Sequence, residues 1–432
     1  MASALATRIA EEHAAAAPSL PAEVVSRERR RHAIETLAAE GLPSSRDENW
    51  KYANLRPLEK VRFAPATSQA ATSLKAADLP EAIQGYARYT FVDGAFVPGL
   101  SASVARKGIS VQSLRDAPTR LIEPSKSKDA RFALLNDAFA TDGASIRVSE
   151  GTDCPTCIEL VFVATVESQA GASYPRVDLQ VDARARVGLI ERHVSVGSGA
   201  NFVNASVRVD IGRGAIVNHY RVQEAGAKAT WFDTLSATLA PDAVYKLHGV
   251  NVGGLSTRST LNVQLAGERA EAAISVASLG DRHQVQDTFI VVDHIAPYAR
   301  SEQTFRGISA GRARVTCNSM VAVRKDAKGT DSQQSLRGLL AGPEAEIDVR
   351  PQLEIYTDDV RCAHGATAGK LDDNMLFYLL SRGIDPATAQ RLLKWAFLED
   401  VVARIEVPEL RRQIERSLAG QMHEADALKE LL

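Results

Sequence analysis

The alternation of apolar and polar positions divides the chain into three parts. Over residues 1–60 apolar side chains recur at helical intervals. In EVVSRERRRHAIETLAAEG, Val24, Ile34, Leu37 and Ala38 fall at roughly helical spacing, and Gly41 supplies a stop. Residues 65–85 are rich in Ala, Ser and Thr and read as a linker, so residues 1–85 form an N-terminal helical segment and linker. From about residue 86 helical spacing disappears. Short runs rich in Val, Ile, Thr and Tyr take over, among them RYTFVDGAFV, IELVFVATV, RVDLQVDARARVGLIERHVSV, FVNASVRVDI and DTFIVVDH. They alternate at period two, the signature of strands. Helical spacing returns at Leu371. Asp385 before Pro386 predicts an N-cap and a first-turn proline, and Ala389, Leu392, Leu393, Ala396, Phe397 and Val401 form the apolar stripe behind them. Further helices are predicted from Pro408 to Leu418 and from about Met422 to the end.

Inside the strand-rich part a turn residue, an alanine and a strand recur together. The alanines are Ala185, Ala215, Ala243, Ala270, Ala313 and Ala345, at intervals of 30, 28, 27, 43 and 32 residues. A quasi-regular period of about 30 with small residues at the corners describes stacked β coils. A sandwich also alternates, but its strands turn over every ~8–12 residues. The expected fold is therefore mainly β: a right-handed parallel β-helix-like solenoid core over residues 86–370, flanked by N-terminal and C-terminal α-helical segments, the latter covering residues 371–432.

The bulk properties narrow the function classes. Lys and Arg total 51 against 53 Asp and Glu, a net charge of −2, which argues against a broad nucleic-acid footprint. Four cysteines in 432 residues are no disulfide framework and read as reduced thiols of a cytoplasmic protein. No apolar run approaches a membrane span. In MASALATRIAEEHAAAAPSL, Glu11, Glu12 and His13 break the apolar run, so an amphipathic first helix is expected rather than a secretory or organellar leader. The chain has no P-loop and no G-x-S-x-G elbow, so any ATP dependence belongs to a partner.

Two local patterns carry candidate chemistry. Cys362 and His364 are two apart, so on a strand both point to one face. Thiolate and imidazole both ligate iron and zinc. A C-x-H pair supplies two donors where such sites usually use four, so a complete site needs other residues or another chain. By spacing alone, a structural cysteine beside a hydrogen-bonded histidine is the commoner arrangement. Cys154 and Cys157 form C-x-x-C, which lacks the second pair of a zinc site and the thioredoxin-like context of a redox site. His193, His219, His248, His283 and His294 lie on or beside expected strands; the first four read as satisfied core or surface histidines, and His294 is set apart by the segment around it, residues 293–315. Trp50 and Tyr52 read as an anchor of the N-terminal helix on the β core.

The segment DDVRCAHGATAGKLDDNMLFYLLSRGI, residues 358–384, closely resembles the C-terminal signature of the SufB/SufD family of iron–sulfur cluster assembly scaffolds. DHIAPYARSEQTFRGISAGRARV (293–315), Asp331, Gln334 and the run from Pro351 resemble the same family's strand-rich core. Arg46, Glu48, Trp50, Lys51 and Tyr52 resemble the element that marks the SufD branch rather than SufB. The resemblance implies a non-catalytic scaffold subunit that acts with a SufB-like subunit and a SufC-like ATPase to build and transfer clusters. It implies that His364, with Cys362 as a second contributor, serves cluster assembly at the partner interface. It implies that the helices from Leu371 onward, expected as an exposed amphipathic set, dock the ATPase. No cofactor is expected to be held permanently; iron or a cluster is held transiently in the complex, and the isolated chain is expected to be a homodimer. Two other readings remain open on the residues. A SufB-like primary scaffold would carry a further core cysteine, for which only Cys317 is placed. A β-helix carbohydrate-active enzyme would group carboxylates on one face, whereas Asp358 and Asp359 are adjacent and point to opposite faces.

Overall fold

The structure is a computed structural model and describes residues 4–66, 74–117, 128–165 and 172–422. The strand-rich region is a solenoid of about eight turns. Successive strands go alternately to two sheets. Sheet I stacks Ala87–Val92, Asp153–Thr165, Arg186–Val196, Ile216–Ala225, Val244–Gly253, Glu271–Gly280, Arg300–Ser309, Thr330–Leu340 and Val360–Gly369, all parallel. Sheet II stacks Ala144–Val148, Arg176–Val181, Phe202–Ile211, Thr230–Leu239, Ser256–Leu265, Val285–His294, Arg314–Val323 and Glu346–Ile355, also parallel. Arg186, Ile216, Val244, Glu271, Arg300 and Asp331 lie level along sheet I, which gives coils of 27 to 31 residues.

The corners explain the alanines. Ala185, Ala215, Ala243, Ala270 and Ala299 are buried, and each follows a residue in the left-handed region: Arg184, Gly214, Asp242, Arg269 and Tyr298, with φ between 56° and 64°. That conformation costs a non-glycine residue about 1–2 kcal/mol. A ladder of backbone bonds offsets it. The N–H groups of Arg184, Gly214, Asp242, Arg269 and Tyr298 donate to the carbonyls of Arg213, Pro241, Glu268, Pro297 and Lys328 in the next coil, at 2.8–3.2 Å. The sequence series skips from Ala270 to Ala313 because Ala299 follows Pro297-Tyr298, a pair without the Gly or Asp that marks most of the other turns. Ala313 and Ala345 precede strands of sheet II, so the interval of 43 crosses from one set of corners to the other.

The two sheets enclose a continuous apolar interior that includes Leu189, Leu235, Leu247, Ile274, Phe305 and Leu336. Helices then cover the outer faces. α1 (Ala4–Ala16), α2 (Arg27–Glu40) and α3 (Arg131–Phe139) lie over sheet II, where Phe132 meets Phe232 at 4.8 Å between ring centroids. α2 begins at Ser26, whose hydroxyl accepts from the Arg29 N–H, and ends at Gly41 with φ 70°. α3 interrupts the stretch that alternation reads as strands. Trp50 is fully buried and stacks on Phe132 at 5.2 Å, and the Arg258 guanidinium lies 4.2 Å over its ring. Trp50 therefore anchors the N-terminal segment as expected, whereas Tyr52 carries the Lys51 ammonium 4.5 Å over its ring.

α4 (Asp373–Ser381), α5 (Pro386–Val402) and α6 (Pro408–Gln421) follow the last strand. Asp385 caps α5 through the Thr388 N–H, and Pro386 is its first residue. Leu398, Val401, Val402, Leu410, Ile414 and Leu418 pack against the outer face of sheet I at Tyr220, Val250, Leu279 and Leu339. The helices from Leu371 onward are amphipathic as expected but not all exposed: α5 and α6 bury their apolar stripes on the solenoid. Among the described residues of these three helices, it is α4 that presents large apolar side chains to solvent, with Phe377 72% exposed. The helix expected after Met422 lies outside the described residues, as does part of the linker at 67–73.

Candidate functional site at the open end of the solenoid

Each interior position of a coil stacks on the equivalent position one coil earlier, so interior columns run the length of sheet I. One column passes through Val217, Tyr245, Ala272, Ser301, Ser332 and Cys362. The next passes through His219, Leu247, Ile274, Gln303, Gln334 and His364. Both change from mainly apolar to polar toward the C-terminal coil and end at the two residues singled out by sequence.

The polar part is only partly satisfied. The His294 ring nitrogen Nε2 lies 2.8 Å from Ser301 Oγ, which lies 2.8 Å from Ser332 Oγ. Gln334 donates through Nε2 to the Ser319 carbonyl at 2.9 Å and to its hydroxyl at 3.1 Å. Gln303 is fully buried, and neither its amide nitrogen nor its oxygen has a partner among the described residues. Buried polar groups without partners cost about 1–3 kcal/mol each, so this stretch does not contribute to packing as an apolar column would. Sequence reasoning missed Ser301, Gln303 and Ser332 as part of the site. The available signal was polar residues at strand positions that parity makes interior.

Val360–Gly369 is the last strand of sheet I and Glu346–Ile355 the last of sheet II, so among the described residues each leaves one edge unpaired. Strand alternation works as predicted. Cys362 lies level with Ser332 and is half-buried against the interior cluster; His364 lies level with Gln334 on the same face and is exposed. His364 makes no hydrogen bond among the described residues, so it is not the buried, satisfied histidine that spacing alone favours. Burial raises the Cys362 thiol above its ordinary pKa, and the nearby Asp331 carboxylate raises it further. A thiol held protonated is a poor ligand until a cation displaces its proton.

Among the described residues no group of three or more His, Cys, Asp or Glu side chains is gathered that could hold a metal ion. Cys362 and His364 offer one soft and one borderline donor at an unpaired edge. A second surface laid against that edge would complete the donor set. His193, His219 and His248 are structural. His219 contacts Glu191 at 3.0 Å and Tyr245 at 2.9 Å, His193 contacts Glu191 at 2.6 Å, and His248 stacks on Tyr220 at 5.4 Å.

Comparison with known proteins finds one family over both halves of the chain. The SUF system FeS cluster assembly SufBD core domain matches residues 162–397, and the SufBD protein N-terminal region matches residues 11–160. Iron-sulfur cluster assembly protein SufD of Escherichia coli is 29% identical over 88% of this chain and 89% of that protein. An iron–sulfur cluster assembly SufBD family protein of Synechocystis is 26% identical over 90% of each. The chloroplastic protein ABCI7 of Arabidopsis thaliana is 27% identical over 95% of this chain and 88% of that protein.

Proposed function

The chain belongs to the SufBD family of iron–sulfur cluster assembly proteins, and from that premise we propose that it is a SufD-like scaffold subunit whose open C-terminal end pairs with a SufB-like subunit. The observation that carries this is the pair of ten-residue strands Glu346–Ile355 and Val360–Gly369, each with a free edge, the second bearing Cys362 and His364. A free edge of that length is a template for another chain. The half-complete donor set sits on it, so pairing and completion of the site are one event. Iron or a nascent cluster is the cargo of the complex, held transiently between the two subunits, with His364 as the principal contributor from this side and Cys362 as the second.

The exposed face of α4, with Met375, Phe377 and Tyr378 between 56% and 72% exposed, supports docking of a SufC-like ATPase on the C-terminal helices. That partner supplies the nucleotide chemistry; this chain is read as a non-enzymatic, cytoplasmic subunit. Without its partners the same edge pairs with a second copy, giving a homodimer. Among the described residues no helix is long and apolar enough to cross a membrane.

Anaerobic reconstitution of the purified chain, alone and with its partners, followed by iron and sulfide analysis, tests the reading. Cluster should form in the complex and remain far below stoichiometric on the lone chain. A stoichiometric cluster on the lone chain would overturn the scaffold-subunit assignment.

A further inference from the structure

Strand Asp153–Thr165, near the opposite end of the solenoid, carries Cys154 and Cys157. Its pairing with Arg186–Val196 is irregular: Cys154 lies level with Val187, and Ile158 level with Leu189. Four steps of one strand therefore match two of its neighbour. A regular strand would carry the chain about 13 Å over those steps, but the partner positions are only about 7 Å apart. The surplus is folded into a bulge, with Pro155 and Thr156 exposed at its tip. The neighbouring coil accommodates this bulge specifically. A Cβ on Gly188 would stand 1.9 Å from the Pro155 carbonyl oxygen, so only glycine fits beneath it.

Under the tip the two cysteines pack into the same interior cluster. Cys157 is fully buried in the interior cluster, and Cys154 is half-buried against the same cluster, its thiol 3.8 Å from the Thr156 carbonyl oxygen. Burial holds the Cys157 thiol well above its ordinary pKa, and the Cys154 sulfur adds to that. One thiol is thus within reach of solvent and its partner stands directly behind it. A disulfide requires Cα atoms about 4.4–6.8 Å apart. An extended strand holds residues three apart at about 10 Å, and the compression at the bulge shortens the Cys154–Cys157 separation toward that range.

We propose that Cys154 and Cys157 are a redox-active dithiol that closes reversibly to a disulfide, with a low-molecular-weight or protein disulfide as its oxidising substrate. The Cys154 thiolate attacks one sulfur of RSSR, forms the mixed disulfide Cys154–S–S–R, and expels RS⁻, which takes up a proton as RSH. Cys157 then gives up its proton, attacks the Cys154 sulfur and expels the second RS⁻. The incoming disulfide gains two electrons and leaves as two thiols; the cysteine pair loses two electrons and two protons. The couple is separate from the open end, so its failure would leave the scaffold reading untouched.

The test equilibrates the full-length protein in glutathione buffers of increasing disulfide content. Free thiols are then trapped with a maleimide, and the peptide spanning both cysteines is weighed. Both thiols of that peptide should be lost together in one transition and return on reduction. Cys157→Ser should stop at a glutathione adduct on Cys154, and Cys154→Ser should leave Cys157 free. Two alkylatable thiols on that peptide at the most oxidising ratio would overturn the proposal. So would a glutathione adduct on wild-type Cys154 that never closes. Both contrary results are read on the wild-type chain, so a misfolded variant cannot obscure them.

Discussion

The solenoid is finished differently at its two ends. At the N-terminal end each sheet closes with a short antiparallel strand: Ala95–Phe96 turns back on Ala87–Val92, and Ile109–Ser113 on Ala144–Val148. Phe96, Phe91 and Phe162 then stack in register across the first coils, with centroids 5.4 and 5.0 Å apart. At the C-terminal end no such device is present among the described residues. Full-length parallel strands stop with their edges free, interior columns turn polar, and large apolar side chains stand in solvent on α4. Exposed edges are a hazard that proteins usually suppress. One end follows that rule and the other departs from it, which is what a subunit needs if one end is its interface.

Putting the same charge into one interior column at two heights should give the sharpest contrast. Val276 and Ala366 lie in a single column, through Phe305 and Leu336. Val276→Lys would bury an unpaired ammonium and should cost at least about 4 kcal/mol, or prevent folding outright. Ala366→Lys stands at the open mouth. It should change the melting temperature by an amount equivalent to less than about 0.5 kcal/mol, yet abolish self-association in light scattering. Equal destabilisation by the two would mean that the last coil is closed.

At the capped end, Phe91→Ala removes the middle ring of the aromatic stack. It should destabilise the fold by about 3–5 kcal/mol in denaturant titration while leaving partner binding intact in whatever fraction remains folded.

Acid loads the buried parts. Burial lowers the pKa of His294 to about 4, with Asp293 opposing the shift, and that of His248 to about 4, with Arg404 and Lys246 adding to it. An unfolded histidine titrates at about 6.5. Between those values the unfolded chain binds a proton that the fold refuses, so stability falls as pH drops from 6.5 to 4. Each histidine contributes on the order of 3 kcal/mol over that window. A melting temperature that is flat with pH in wild type, or as steep in His294→Gln as in wild type, would contradict the assignment.

The smallest effect on stability is expected at α4. Phe377→Ser should leave the melting curve unchanged, within about 0.5 kcal/mol, but weaken ATPase binding in co-purification. Deletion of residues 385–432 is a poorer test. α5 and α6 cover apolar side chains of sheet I, and removing them would strip the solenoid along with the docking site.

Much of this was legible in the sequence because it is local. The Asp385-Pro386 start, the Gly41 stop, the alternation of Cys362 and His364, and the coil period follow from spacing over a few residues or from one repeated corner. The features that were not legible depend on neighbours a coil away. Helix α3, RFALLNDAF, is short and surrounded by strand-forming sequence, and it is held by contacts to α2 and sheet II. Ala299 escaped the repeat because its turn, Pro297-Tyr298, lacks the glycine or aspartate that precedes the other corner alanines. The polar column leading to His364 appears only when residues about 30 apart are laid side by side. The C-x-x-C pair looked inert because it lacks a second pair and a thioredoxin-like context, and the register slip opposite Gly188 that draws its two residues closer is set by the neighbouring coil.

The central claim is that the open end is a shared assembly site, and the most direct measurement is cluster content of the reconstituted complex with His364→Ala. The variant should fold, melt and bind its partners as wild type does, because His364 is exposed and makes no hydrogen bond among the described residues. It should nevertheless form much less cluster, and Cys362→Ser should have an equal or smaller effect. Cluster formed at the wild-type rate by the His364→Ala complex would contradict the account.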